Sequence, residues 1–171
     1  SNVVNGARTS LMIAFVSVVI GGALGAAIGI VSAYRRGRLD YFVNLFFNVV
    51  LSIPNLVLGL ALVAILATSS DPSVVISPSR RVVVIMIALT FIVVPVLGRI
   101  ARGATLTWIN REFVVAARSM GMRDRHIILR HIVPNVLPIA VTTMLLNVAF
   151  ALVAMSALSF LGFGVGPGTP D

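Results

Sequence analysis

Apolar residues in this chain come in long uncharged runs and do not alternate with polar ones. No charge falls between Arg8 and Arg35, between Asp40 and Asp71, or between Arg81 and Arg99, and none follows His131 until Asp171. About 20 apolar residues suffice to cross a bilayer as a helix. In lipid the backbone finds no water, so each such segment must bond to itself. Barrel strands would alternate in polarity, and these runs do not. The pattern therefore predicts transmembrane helices over about 11–33, 41–68, 82–97 and 137–161. The third run is the shortest, and its helix is free to continue past the membrane surface. The expected fold is an all-α polytopic bundle: one transmembrane domain over 1–171, with a cytoplasmic segment at 98–136.

Composition supports the membrane reading. Hydrophobic residues make up 58% of the chain, charged residues 11%, and mean hydropathy is +1.08. Soluble domains carry about 25% charged residues. All 13 cationic residues are arginine, and with five acids the net charge is +8. These arginines sit in short loops without interleaved stacking aromatics, which excludes a nucleic-acid partner. The chain has no cysteine, so disulfides, thiolate catalysis and cysteine metal sites are excluded. Because it has no lysine, a phosphate-binding loop ending in Gly-Lys-Ser/Thr is impossible. If ATP drives this protein, another chain hydrolyses it.

Arginine placement gives orientation. Ten of the thirteen lie in 34–40 and 98–136; the others are Arg8, Arg80 and Arg81. The rich side is expected to be cytoplasmic, so the chain begins and ends on the other side. It starts at Ser1 without a signal peptide and ends in a Gly/Pro-rich tail at 162–171. A missing span at each end is expected. The 69–80 segment reads as an external loop.

Within the runs, Gly21, Gly25 and Gly29 recur every fourth residue. Such spacing lays a groove along one helix face for close packing of a neighbouring backbone; a strip lining a pore is the alternative. Asn44, Asn48, Pro54 and Asn55 fall in the second run, where proline kinks a helix and frees a carbonyl. Asn48, Pro54, Asn55, Asn147 and Ser156 either fix helices to one another or line a translocation path. Ionisable residues are absent from the runs, which argues against ion-coupled transport. No convergent acid, base or nucleophile points to an enzyme. His126 and His131 are five residues apart, on different helical faces, so no metal site is expected.

Residues 110–134 carry the most information. Phe113, Ala116, Ala117 and Met120 follow helical spacing, giving one apolar face. Gly121 stands where a helix end favours a left-handed residue. Asp124 is placed to cap a second helix, whose apolar residues are Ile127, Ile128, Leu129 and Ile132. Pro134 and Pro138 punctuate the return to the membrane. The result is helix, glycine turn, helix. Ala116 and Ala117 leave room for a partner's approach, while an amphipathic hairpin resting on lipid headgroups is the other reading.

This stretch resembles the EAA loop of binding-protein-dependent ABC importer permeases. Ala116-Ala117-x3-Gly121 matches, and Pro134 falls thirteen residues after the glycine. Val115 stands at the glutamate position with Glu112 one turn earlier, and His131 and Val133 replace an isoleucine and a leucine. Arg130-His131-Ile132-Val133-Pro134-Asn135 is similar to the dipeptide/oligopeptide/nickel branch, in its C-type permease. So are the segments at 6–11, 52–54 and 158–165. The resemblance implies a type I importer fold and a location in the bacterial inner membrane. It implies pairing with a second homologous permease, two ATP-binding subunits that carry ATP and Mg, and an external solute-binding protein, with no cofactor on this chain. It also implies that Glu112, Phe113, Ala116, Ala117, Arg118, Met120, Gly121 and Asp124 belong to a coupling helix and its turn.

Overall fold

The computed structural model describes the backbone of residues 2–67 and 78–160 and the side chains of 8–66 and 80–160. The expected tail at 162–171, the expected loop as far as residue 77, and the resembling positions 161–165 lie outside the described residues. So do the side chains of residues 6 and 7.

Seven α-helices and one π-helical turn make up the described chain, with no strand among the described residues. They are α1 (Asn2–Arg35), α2 (Gly37–Ser52), α3 (Asn55–Ala67), α4 (Pro78–Ile109), α5 (Glu112–Ser119), α6 (Asp124–Ile127), the π turn (Ile128–Ile132) and α7 (Val133–Phe160). Three stretches are long and apolar enough to cross a membrane: Arg8–Arg35, Arg80–Ile109 and Asp124–Phe160.

The run expected as one helix over 41–68 is two helices, α2 and α3, bent by 94°. The cause is local. A residue preceding proline is pushed out of the α region, and Ile53 is extended at φ −89°, ψ 130°. The ladder stops there and restarts when the Leu58 amide donates to the Pro54 carbonyl (3.0 Å). Pro54 thus ends one helix and opens the next, which is more than the expected kink. Pro95 and Pro138, by contrast, lie inside the continuous α4 and α7. Pro134 and Pro138 do not interrupt the return to the membrane either. The stretch continues through the π turn, where the Val133 amide reaches back five residues to the Ile128 carbonyl. A π turn just before Pro134 sits where the proline's missing N–H already breaks the regular ladder.

α1 and α4 form the central pair. Gly21, Gly25 and Gly29 all face α4. A Cβ on Gly21 would lie 2.7 Å from the Thr90 carbonyl oxygen. On Gly25 it would meet the Val94 carbonyl, and on Gly29 the Gly98 carbonyl, both at impossible range. Gly98 answers from α4, its bare face covered by the Phe47 ring of α2. Small residues allow this approach, which in lipid gains dispersion contacts that bulkier side chains would prevent.

Around the seam lie two apolar clusters. One joins Ile13 and Val18 of α1 to Ile85, Leu89 and Leu97 of α4 and Met155 of α7. The other, at the arginine-rich end, joins Ile30 and Tyr34 of α1 to Ala101 and Ile109 of α4 and to the hairpin. α7 is the peripheral member: 17% of its most apolar stretch is buried, against 39% for α1 and 44% for α4.

Candidate functional site

The two arginine-bearing segments, 34–40 and 98–134, meet at one end of the bundle. Arg102 binds Asp40 with two donors, Nε to Oδ1 at 2.6 Å and Nη2 to Oδ2 at 2.7 Å. Asp40 precedes the apolar run that opens at Tyr41, and this guanidinium holds its carboxyl below the ordinary carboxylate range. Arg36 Nη2 donates to Asn110 Oδ1 (3.1 Å), and Arg99 donates to Asn48 Oδ1. These contacts tie the α1–α2 corner to the end of α4, from which the hairpin hangs.

Arg111 precedes α5, and its extended backbone accepts from the Val114 amide (2.9 Å). Glu112 in the first turn and Arg118 in the last suit the helix dipole. The helix ends in a Schellman turn. Met122 N donates to the Ala117 carbonyl (3.1 Å) and Gly121 N to the Arg118 carbonyl (3.0 Å), with Gly121 at φ +74°. That conformation costs a side-chain-bearing residue about 1–2 kcal/mol, which is why glycine stands there.

The expected apolar face of α5 divides. Val114 and Ala117 are buried, Ala117 to 2% exposure, while Ala116 and Met120 are exposed, Met120 at 76%, and Phe113 is part exposed with its ring beside neighbouring rings. Ala117 therefore corrects the expectation: it seats the helix on the bundle and offers no surface for a partner's approach. Val114 stands on the inner face at i, i+3 from Ala117. Asp124 is a second correction. It makes no capping bond, and the residue before α6 is Arg123. Its Oδ1 instead accepts from the Tyr34 hydroxyl at 2.6 Å. A bond across 90 residues to the end of α1 outcompetes a local cap. Arg118 lies over the Tyr34 ring, 5.4 Å from its centroid. Trp108, Phe113 and His131 form a row of rings at 6.1 and 5.9 Å, and Ile127 and Ile132 are fully buried. The hairpin is thus fixed on its inner side and open on its outer side.

The family of binding-protein-dependent transport system inner membrane components matches residues 25–170. The chain belongs to that family. A dipeptide transport system permease protein of Alkalihalophilus pseudofirmus is 30% identical over all 171 residues, which cover 52% of that relative. A glutathione transport system permease protein of Escherichia coli is 30% identical with the same coverage. The glutathione permease protein of Pectobacterium atrosepticum is 28% identical, again over the whole chain and 53% of the relative. The chain spans about half the length of the curated relatives it matches.

Within this inner-membrane transport component, the residues expected to fix helices or line a path are dispersed. Asn48 is held by Arg99 at the arginine-rich end. Pro54 and Asn55 are exposed at the α2–α3 break. Asn147 Nδ2 donates to the Thr143 carbonyl (2.9 Å) and Ser156 Oγ to the Leu152 carbonyl (2.9 Å), each within its own helix. Ser156 also borders an open hollow of about 320 Å3 with Ser10, Met155, Ser159 and Phe160; none of the other four lines it. No group of three metal-ligating side chains occurs among the described residues.

Sequence reasoning passed over Tyr34, Asp40 with Arg102, Arg36 with Asn110, and Gly98. Asp40 carried a signal, being the lone acid beside Arg35, Arg36 and Arg38. Tyr34 carried none.

Proposed function

We propose that this chain forms part of a permease of an ATP-driven importer for peptides or a related small solute. The outer face of α5 is its coupling surface. The observation that carries this reading is the two-sided hairpin: Val114, Ala117, Ile127 and Ile132 lock it to the bundle, while Phe113, Ala116 and Met120 are exposed beside Gly121. An apolar, rigidly backed face at a polar end suits docking to a protein groove. Names of relatives that move dipeptides and glutathione support the solute class.

In this reading the hairpin faces the cytoplasm. Two ATP-binding subunits hold ATP and Mg and receive α5 and its counterpart in a second homologous permease. An external binding protein delivers the solute. When the ATP-binding subunits close, they displace α5. The Tyr34–Asp124 bond and the buried hairpin core pass that displacement to α1 and α4, which move as a rigid pair. A conformational drive needs different affinity for the two states, and here it is the grip on α5 that differs.

The test replaces Met120 with Glu in the full-length permease, reconstituted with its ATP-binding subunits and binding protein. Membrane insertion should be normal and binding-protein-stimulated ATP hydrolysis should fall about tenfold or more, the loss of about 1.4 kcal/mol of docking. Normal stimulation would sink the assignment of α5.

A further inference from the structure

The coupling reading places only α5 against a partner. The second arm of the hairpin carries another feature: Arg123, Arg125, His126, Leu129 and Arg130 surround an open hollow of about 450 Å3 that no residue of α5 lines. All five are exposed, Leu129 to 57%. Among the described residues the one ion pair is Arg102 with Asp40, so these three guanidiniums have no anionic partner. The nearest acid in sequence, Asp124, accepts from the Tyr34 hydroxyl and forms no ion pair with them. Three guanidiniums without a direct ion pair are thus gathered around one exposed leucine.

Their place along the chain matters. Arg130 is the last arginine before the uncharged run that becomes α7, and the exposed Leu137, Ile139 and Val141 follow within three turns. At 1.5 Å per residue, Arg130 lies about 10 Å along the axis from Leu137. A headgroup layer extends about 5–8 Å beyond the hydrocarbon, within reach of a snorkelling arginine. Guanidinium binds phosphate oxygens with two parallel donors, which an ammonium cannot do. An exposed leucine inside the cationic ring suits an amphiphile, and would be wasted on a free anion.

We propose that Arg123, Arg125, His126 and Arg130, around Leu129, form a site for the phosphate headgroup of an anionic phospholipid. The lipid's acyl chains run up the exposed side of α7. The inference rests on the preceding reading only in placing the hairpin at a membrane surface.

The test uses the full-length permease in phosphatidylcholine nanodiscs titrated with phosphatidylglycerol, with retained lipid read by native mass spectrometry and no ATP-binding subunit present. Each arginine changed to Gln should weaken phosphatidylglycerol retention about fivefold, and the triple R123Q/R125Q/R130Q about a hundredfold. A control pair at the same end but outside the hollow, R35Q/R38Q, should lose little. Equal loss in the control means charge without a site and overturns the proposal. So does unchanged retention in the triple variant. Displacement by inorganic phosphate at matched concentration makes the ligand a free anion and overturns the lipid assignment. If the triple variant keeps its lipid but, in a separate co-purification with the ATP-binding subunits, fails to retain them, the cluster docks an acidic protein surface, which is also fatal to it. Because lipid retention is read without those subunits, its failure is distinguishable from failure of the α5 assignment.

Discussion

The α1–α4 seam and the hairpin solve opposite problems at two ends of the same helices. At the seam, backbone meets backbone: Gly25 lies against Val94 and Gly98, and Gly29 against Gly98 and Arg102, with no side chain between to yield. At the hairpin, contact runs through single side chains, with Tyr34 on Asp124 and Arg118 on Tyr34. The first arrangement can move only as a unit, because close-packed backbones resist independent displacement. The second can be pulled, loosened or retuned one group at a time. On the coupling reading proposed above, the stiff pair would carry a motion and the shallower attachment would receive it.

The sharpest way to break the comparison is Gly25→Leu. No rotamer avoids the Val94 carbonyl, so the helices must part. We expect a loss of about 3 kcal/mol or more, seen as a collapsed thermal midpoint or aggregation in detergent. Gly103, in contrast, has nothing within 4 Å of an added Cβ. Gly103→Ala should hold or slightly raise the midpoint, because alanine is the better helix former by about 0.5–1 kcal/mol. Similar behaviour of the two variants would remove the seam's special status.

Next in size is Gly121→Val. The left-handed turn at φ +74° should cost about 1–2 kcal/mol with a side chain present. That strain stays in the hairpin, so amide exchange in α5 should accelerate while α1 and α4 amides keep their protection. Gly121→Asn should cost less, since asparagine tolerates this conformation. Exchange rising equally across α1 and α4 would show that the two regions are not separable.

What could be read beforehand follows the same division. Glycines four apart and a glycine closing a short amphipathic helix are local signals, and each acts through its own missing Cβ. The break at Pro54 was visible as a disturbance. Its 94° angle was not, because proline removes a donor and extends Ile53 but does not choose where α3 goes. The same residue type at Pro95 and Pro138 leaves the helix unbroken, so surroundings decide. Asp124 is the clearest miss. As a local residue it is a good cap, yet its partner, Tyr34, is brought near only when the ends of α1 and the hairpin meet. Periodicity gave Phe113, Ala116, Ala117 and Met120 one face. The actual line between buried and exposed passes between Ala116 and Ala117, set by which side the bundle occupies.

The Asp40–Arg102 pair lies between the two regions, since it anchors the α1–α2 corner to α4. Its side chains are mostly covered, at 24% and 16% exposure. Asp40→Asn leaves Arg102 half-satisfied and should cost about 1 kcal/mol. The contribution also depends on pH. Because Arg102 depresses the Asp40 carboxyl in the folded state, its stabilisation is complete above the ordinary carboxylate range and is lost as pH falls through the lowered value. Wild type should therefore lose stability relative to D40N on acidification, read as converging thermal midpoints. A constant gap down to strongly acidic pH would mean that the charge on Asp40 contributes nothing.

The smallest effect, and the finest probe of the hairpin's attachment, is Tyr34→Phe. It deletes one hydroxyl and keeps the ring beneath Arg118. Asp124 is exposed enough to recover water, so the cost should be about 0.5–1 kcal/mol, near the limit of a global melt. A double-mutant cycle with Asp124→Asn separates the pair from its surroundings. Each single change should raise exchange in α5 and α6, and the double should add little to either. Full additivity would mean that hydroxyl and carboxylate act independently. On the proposed coupling reading, a force path from α5 to α1 would then have to run through the buried Val114, Ala117 and Ile127 alone.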